Sequence, residues 1–403
     1  MEKNIFKLRT KKLKEIASAL QVKIETGLEK ENTEIQCIPT FINPKNTGIK
    51  GKALVLDLGG TNYRVASVEF SEGKPVIRPD NGWKKDLSVM KTPGYKQEEL
   101  FKELADLISE IEQEDKALPI GYCFSYPAES MTNGDAKLLR WTKGVNIEEM
   151  VAKPIGKPLL DYLNGLNKAK FTTIKVINDT IASLFAGLAY SDYDAHIGLI
   201  VGTGTNMATF INADRVKKLD PSLNISGKIP INLESGNFFP PNLTVIDEKV
   251  DACSDSRGRQ RFEKAVSGMY LGEILKSVFP CDTFEDKFDA QKLTNIMSYP
   301  DIHKKRYVNV ARWIYQRSAQ LVAASLAGLI LVLKSHDSSI KKVCLTAEGS
   351  LFWSEDKNGK NYKKIVLEEL QKLLAEYGYN DVQVHINKMD NANLIGSAVA
   401  ALS

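Results

Sequence analysis

The stretch that most constrains this chain is Ala53–Phe70, ALVLDLGGTNYRVASVEF. Its first four residues are apolar and read as a buried strand. Asp57 then interrupts the run, and a carboxylate at the end of a core strand is costly unless it meets water, a metal or a partner. Gly59 and Gly60 follow and predict a tight turn whose backbone N–H groups can face an anion. Thr61 and Asn62 add short polar side chains, and Tyr63–Phe70 returns as a second β-rich run. The stretch is therefore predicted to be a hairpin with one acid, two glycines and two small polar residues at its tip. Two readings are open here. One is an ordinary glycine-rich turn. The other is a cradle for a phosphate chain with its Mg²⁺, amides meeting the oxygens and the carboxylate meeting the hydrated metal.

The pattern recurs. Gly198–Phe210, GLIVGTGTNMATF, is again an apolar strand, a Gly/Thr turn and a β-rich return. Gly60-Thr61-Asn62 is repeated as Gly204-Thr205-Asn206. This predicts an internal duplication, two related halves each offering a hairpin loop to one shared ligand. Val201 stands where the first copy has Asp57, as expected if a single Mg²⁺ needs a single anchor.

With 403 residues the chain is expected to form two domains, each with its own core. A net charge of +4 is too mild to argue for nucleic acid, and no DNA- or RNA-reading signature is present. Cys37, Cys123, Cys253, Cys281 and Cys344 are scattered without a CxxC, which favours a reducing compartment over a zinc site or disulfide framework. There is no GxxxxGK[ST], which disfavours a P-loop. His196, His303, His336 and His385 lie outside the polar clusters, which disfavours a histidine metal site or a Ser/His/Asp triad. Residues 1–20 are basic, with Leu13, Ile16, Ala17 and Leu20 at helical spacing and no continuous apolar run of a signal peptide. They are predicted to be a helix packed on its own domain. Leu321–Leu333 is shorter than a membrane span of ~20 residues, and Ala323, Ala324, Ala327 and Gly328 predict a closely packed internal helix. The expectation is a cytoplasmic protein with no membrane or nucleic-acid partner.

Taken in order, residues 30–52 read as a connection or short strands and Ser71–Lys96 as a polar segment. Glu98–Gln113 reads as an amphipathic helix. Pro119–Phe124 is a predicted strand that ends in Ser125-Tyr126-Pro127, and ligands gather at such strand ends in open α/β sheets. Leu138–Gly144, LLRWTKG, brings Thr142 and Lys143 together before a glycine. The strand Thr172–Ile177 runs into Asn178-Asp179-Thr180 and a helix over Ile181–Leu188. Asp179 is either an N-cap or an acid placed at a helix start for another purpose. Glu234 lies within Asn232–Asn237, NLESGN. Glu263 opens a predicted helix carrying Val266, Met269, Tyr270, Ile274 and Leu275. Each reads as a solvated surface glutamate unless a sugar binds, since polyols are held by carboxylates and amides. Arg306–Lys334 is a long helix and Val343–Thr346 a strand leading into Glu348-Gly349-Ser350. Tyr362–Tyr377 is a helix, Val382–Ile386 a strand and Ala392–Leu402 a small-residue helix. Strands alternating with helices predict a mixed α/β protein in two lobes.

In that order, DLGGTN, FSYP, WTKG, NDT, GTGTN, NLESGN, Gln260 with Glu263, and EGS resemble the hexokinase family of the actin-like, sugar-kinase and heat-shock ATPase superfamily. The resemblance runs from about Gly51 to Ser350. It implies a two-lobed α/β fold of the actin-like (ribonuclease H-like) ATPase kind in a single catalytic unit. The cleft would lie between a small lobe, 51–178 plus 390–403, and a large lobe, 1–50 plus 179–389. It implies phosphorylation of the 6-hydroxyl of glucose, and of mannose or fructose, by ATP with Mg²⁺, feeding glycolysis. By the same resemblance Ser125, Thr142, Lys143, Asn178, Asp179, Asn206, Glu234, Gln260 and Glu263 line the sugar site. Asp57, Gly59, Gly60, Thr61, Asn62, Arg64, Thr203, Gly204, Gly349 and Ser350 face the nucleotide. Asp179 is the general base, Lys143 helps neutralise the transferred group, and Asp57 holds Mg²⁺ through water. Two departures stand out. The family's usual Asp-Gly-Ser is here Glu348-Gly349-Ser350, and its late Gly-Ser-Gly-Lys-Gly-Ala-Ala is replaced by Asp390–Gly396, from which no site residue is carried over. A non-catalytic hexose sensor of the same fold is the alternative, and the intact Asp57 and Asp179 favour an enzyme. The lack of a Cys-rich zinc motif disfavours a ROK-type kinase. The sugar-site residues between 125 and 263 disfavour an actin- or chaperone-type protein.

Overall fold

The structure is a computed structural model that describes residues 5–44, 48–71, 74–111, 117–190 and 192–403. In the first half, β1 (Ile38–Pro39) precedes the hairpin β2 (Gly51–Leu58) and β3 (Asn62–Ser71). Then come β4 (Lys74–Asp86), β5 (Leu118–Phe124), the short hairpin β6 (Ala128–Ser130) and β7 (Ala136–Leu138), and β8 (Phe171–Ile177). The second half supplies the hairpin β9 (Ala195–Val201) and β10 (Thr205–Asn212), then β11 (Lys228–Asn232), β12 (Lys342–Glu348) and β13 (Gln383–Asn387).

The strands form two large sheets of one topology. The first has the order β4-β3-β2-β5-β8; the second has β11-β10-β9-β12-β13, with β1 added at its edge. In each, three antiparallel strands begin with a hairpin and two parallel strands follow. The repeated hairpin motif thus corresponds to a repeated sheet, and Asp57 and Val201 sit at matching strand ends.

The helices are α1 (Thr10–Glu29), α2 (Gln97–Ser109), α3 (Gly156–Gly165), α4 (Asp179–Ala186), α5 (Val245–Ala252), α6 (Arg261–Val266), α7 (Gly268–Val278), α8 (Ala290–Ser298), α9 (Lys305–His336), α10 (Tyr362–Glu376) and α11 (Ala392–Ala401). One face of the first sheet joins α2 and α3 in an apolar core with Leu54, Leu56, Leu104 and Leu159. The opposite face, with Val55 and Val68, is covered by α4 and α11. A third, larger core surrounds α9 and holds the second sheet and α1. Helix α11 is seated by two close approaches. A Cβ on Gly121 would stand 1.9 Å from the Ser397 carbonyl oxygen, and one on Gly396 would stand 2.0 Å from that of Ala182. These glycines let α11 lie on β5 and cross α4 at backbone distance, beside the first residue of α4, Asp179.

Several elements differ from the sequence reading. The polar segment Ser71–Lys96 contains the 13-residue strand β4. It is an edge strand, mostly exposed, so it shows no apolar alternation strong enough to read. β11 was likewise unmarked in the sequence. The helix expected over Glu98–Gln113 ends at Ser109, and Glu112 and Gln113 lie outside the described residues. The helix expected from Glu263 through Leu275 is two helices broken at Ser267, and Met269 is 55% exposed rather than buried. The N-terminal helix begins at Thr10 and buries Leu13, Ile16, Ala17 and Leu20 as expected; residues 1–4 lie outside the described part. Helix α9 is 32 residues and long and apolar enough to cross a membrane, but 89% of its most apolar window is buried inside the fold.

Candidate active site

The first hairpin presents Asp57 opposite Arg64 in register. Arg64 Nη2 lies 2.6 Å and Nε 3.0 Å from Asp57 Oδ2. The other oxygen, Oδ1, accepts a long bond of 3.4 Å from Asn393 Nδ2. Arg64 Nη1 donates to Asn391 Oδ1 at 2.9 Å, and Asn391 in turn donates to Asn81 at 2.8 Å. A buried carboxylate is thus paired through one oxygen, while the other is held weakly enough to accept a metal-bound water. At the turn, Gly59 N–H donates to the Asn62 carbonyl at 3.0 Å and Asn62 Nδ2 donates to Thr61 Oγ1 at 2.9 Å. Thr61 is exposed.

The second hairpin faces a polar network instead. Asn206 Oδ1 accepts from Met207 N–H at 2.8 Å and Ser235 N–H at 3.0 Å, and its Nδ2 donates to Asn232 Oδ1 at 2.7 Å. Asn232 Nδ2 donates to Glu234 Oε1 at 2.7 Å. Glu234 holds a left-handed backbone, φ 55°. Glu263 Oε2 accepts from Thr205 N–H at 3.0 Å. Both glutamates are partly buried rather than solvated surface groups. Burial pushes the Glu234 carboxyl up, aided by the nearby Asp179 charge and opposed by Asn232 and Arg140. Burial also raises Glu263, opposed by the Thr205 N–H, Lys143 and Lys264.

Asp179 is not the N-cap. Asn178 is, its side chain accepting from Thr180 N–H at 2.9 Å. Asp179 is the first residue of α4 and accepts from Thr180 Oγ1 at 3.3 Å. Ser125 follows β5, and its N–H bonds the Leu58 carbonyl at 3.1 Å and so ties its turn to the first hairpin. Lys143 and Gly144 are both left-handed, φ 59° and 83°. This bend throws the Lys143 side chain over Gly60 and parks Nζ on the Ser125 carbonyl at 2.7 Å, 5.2 Å above the Tyr126 ring. Thr142 is half-buried next to it, and Trp141 is fixed by a 2.8 Å bond from Nε1 to the Ile147 carbonyl.

In the turn after β12, Gly349 has φ 105°, and a Cβ there would stand 2.2 Å from the Val201 carbonyl oxygen. Only glycine lets the Glu348-Gly349-Ser350 turn lie against the second hairpin, where Phe352 N–H bonds the same carbonyl at 3.0 Å. Thr203, Ser350 and Met269 are exposed beside it. Glu348 is raised to about 7, chiefly by burial and the Asp57 charge, with Arg64 and the Ala392 N–H opposing and Asp179 adding to the rise. The charges of Asp57 and Asp179 thus both reach Glu348, with Arg64 the opposing one. Such a surplus suits a hydrated divalent cation. Among the described residues no three acids, histidines or cysteines converge into a metal cage.

Sequence reasoning missed Asn232, Arg140, Asn391 and Asn393. The first two lie inside quoted motifs, NLESGN and LLRWTKG. The last two lie in the stretch set aside because it departs from the family pattern.

A two-lobed α/β sugar kinase is the class this fold and site define. The relatives say the same. Profiles described as Hexokinase match residues 2–189 and residues 196–294 and 281–403. Hexokinase-9 of Oryza sativa is 29% identical over 84% of this chain and 77% of its own length. Hexokinase HKDC1 of Homo sapiens is 31% identical over 68% of this chain, which spans 31% of that longer protein. The hexokinase from Schistosoma mansoni, solved in complex with glucose, superposes with a TM-score of 0.79, 25% identity and coverage of 99% of this chain and 97% of that one. The chain belongs to the hexokinase family.

Proposed function

We propose that the chain transfers the γ-phosphoryl group of ATP, with Mg²⁺, to the 6-hydroxyl of glucose and of mannose or fructose, a reaction that would feed glycolysis. The observation that carries this reading is the fixed Asn206–Asn232–Glu234 chain, with Glu263 beside it, next to an Asp179 free of capping duty. Carboxylates and amides so held are matched to the hydroxyls of a pyranose. Gln260, Asn178, Ser125 and Thr142 complete the sugar's surroundings. The lobes divide as 51–178 with 390–403, and 1–50 with 179–389.

Phosphoryl transfer asks the protein for positioning and charge stabilisation. Asp179 accepts a hydrogen bond from the 6-hydroxyl and takes its proton as the bond to phosphorus forms, late in a loose transition state. Lys143 leaves the Ser125 carbonyl and meets the transferred group. The backbone of Gly59–Asn62 and Thr203–Gly204, with Arg64, Gly349 and Ser350, lines the donor's phosphates and nucleoside. Asp57, one oxygen of which Arg64 fixes, would hold the metal through water. Bound Mg²⁺ supplies Lewis-acid neutralisation of the phosphates. Closure of the lobes excludes water, the competing acceptor.

The test is Mg²⁺- and ATP-dependent turnover across glucose, mannose, fructose, galactose, glycerol and acetate, with products identified. Sugar 6-phosphate from glucose is expected. Glucose binding without turnover would convert the reading to a sensor, and turnover of a non-hexose alone would overturn the sugar-site assignment.

A further inference from the structure

Behind the large-lobe wall of the site lies a cluster of buried charge that the mechanism does not use. Asp251, Arg261 and Lys264 are 4%, 7% and 3% exposed. Lys264 Nζ lies 2.7 Å from Asp251 Oδ1 and donates to the Ser256 carbonyl at 2.7 Å. Gly258 N–H reaches both Asp251 oxygens at 3.0 Å. Arg261 Nη1 stands 3.5 Å from Asp251 Oδ2, its Nη2 pairs with Glu248, and its guanidinium covers the Phe239 ring at 4.4 Å. Burial pushes the Asp251 carboxyl up, but Lys264, the Gly258 N–H and Arg261 more than reverse this and hold it below its usual value.

A second buried pair shows what such a cluster does when it is architectural. Arg317 and Asp247 meet at 2.7 and 3.0 Å and join α9 to α5, with Thr244 as the other partner of Asp247. The Asp251 cluster differs in its remaining bonds, because both partners bind the backbone of residues 256–258. That loop ends in Gly258, φ 78°, and two residues later in Gln260, φ 52°. Two left-handed residues so close fold the chain back on itself, Arg259 N–H closes the turn on the Ser256 carbonyl at 3.0 Å, and the bonds to Asp251 and Lys264 tie the loop to α5 and α6. Gln260 then caps α6, its carbonyl accepting from Lys264 N–H at 3.0 Å. Glu263 precedes Lys264 and reaches Thr205 on the opposite side of the helix. A single ion pair therefore holds the backbone on one side and one flank of the helix that carries both residues.

We propose that Asp251 and Lys264 are positioning residues for the sugar: their ion pair fixes residues 256–258 and so aims Gln260 and Glu263 into the hexose site. This rests on the hexose reading of that site. Replacing a buried ion pair by apolar groups of similar volume is often neutral for stability. The double variant Asp251→Leu/Lys264→Met keeps the core filled while leaving Gly258 N–H and the Ser256 carbonyl without these partners. With melting temperature near wild type, its KM for glucose is expected to rise ~10-fold or more while its KM for MgATP changes less than ~3-fold, the split that separates a sugar-side role from a general one. Lys264→Arg keeps the charge pair and the fold but moves the donor off Ser256, and is expected to raise the glucose KM several-fold. Wild-type glucose KM in whichever of these variants folds overturns the positioning role alone. A wild-type chain inert towards every hexose overturns the hexose reading and the positioning role with it.

Discussion

In the first hairpin Asn62 donates to its own neighbour, Thr61, and Thr61 is exposed. In the second, the matching Asn206 binds Met207, Ser235 and Asn232, and the matching Thr205 is buried, its N–H on Glu263 and its hydroxyl on the Ile200 carbonyl at 3.0 Å. Asp57 meets Arg64 across the first ladder; Val201 meets Thr205 across the second. One triplet on one topology thus yields an open loop with an anchored acid, suited to phosphate and metal, and a closed loop locked into the wall proposed to bind sugar. The difference comes from what lies opposite. The second hairpin is backed by β11, Glu234 and α6, which turn its side chains inward.

This contrast can be broken in graded steps. Asp57→Ala removes the proposed metal anchor and is expected to lower kcat ~100- to 1,000-fold, as loss of a transition-state charge partner does, with glucose binding by tryptophan fluorescence retained. The mirror change, Val201→Asp, puts an acid at a fully buried position with threonine instead of arginine opposite. It is expected to destabilise the fold by about 3 kcal/mol or more in urea denaturation without raising Mg²⁺ affinity. Asn206→Ala leaves two backbone N–H groups and Asn232 short of a partner, and is expected to raise the hexose KM ~10-fold; Asn62→Ala should leave it within ~2-fold. The paired glycines give a smaller split. A Cβ on Gly204 would stand 2.6 Å from Glu263 Oε2, which Thr205 holds in place, while one on Gly60 would stand 2.7 Å from Lys143 Cδ, in an exposed side chain that can shift by rotating its own methylenes. Gly204→Ala is expected to raise hexose KM several-fold and Gly60→Ala to change it little.

The smallest effect concerns Glu348, the acid that faces the first hairpin from the other half. Its folded pKa of about 7 lies above the ordinary 4.5. The folded state therefore binds this proton more tightly, and the stability it contributes is full below about 4.5 and lost as pH rises through about 7. In metal-free buffer Glu348→Gln is expected to exceed wild type in stability by about 1 kcal/mol or more at pH 8, with the gain shrinking towards pH 5. A gain independent of pH would show that Glu348 is not the titrating group.

The fold class was legible because apolar strands flank polar turns: DLGGTN, GTGTN and NDT mark strand ends whatever surrounds them. The duplication was legible from three residues. The edge strand β4 was not, because an exposed strand needs no alternation, and Pro79 and Gly82 break what pattern it has. Ser267 ended a helix whose apolar spacing continued through it, and Met269 consequently faced solvent. Glu234 and Glu263 could be chosen only through resemblance, since nothing local distinguishes a desolvated glutamate from a surface one. Asn391 and Asn393 were out of reach because their partners, Arg64 and Asp57, are more than three hundred residues away in sequence.

That separation also governs how the chain is made. Helix α1 buries its apolar face against α9, and the inner face of the first sheet is covered by α11. At ~5–20 residues per second of synthesis, α1 waits tens of seconds for α9, and the face of the first sheet that α4 covers in part waits longer for residues 392–401. During synthesis the apolar face of a helix and part of one sheet face thus wait longest for their cover.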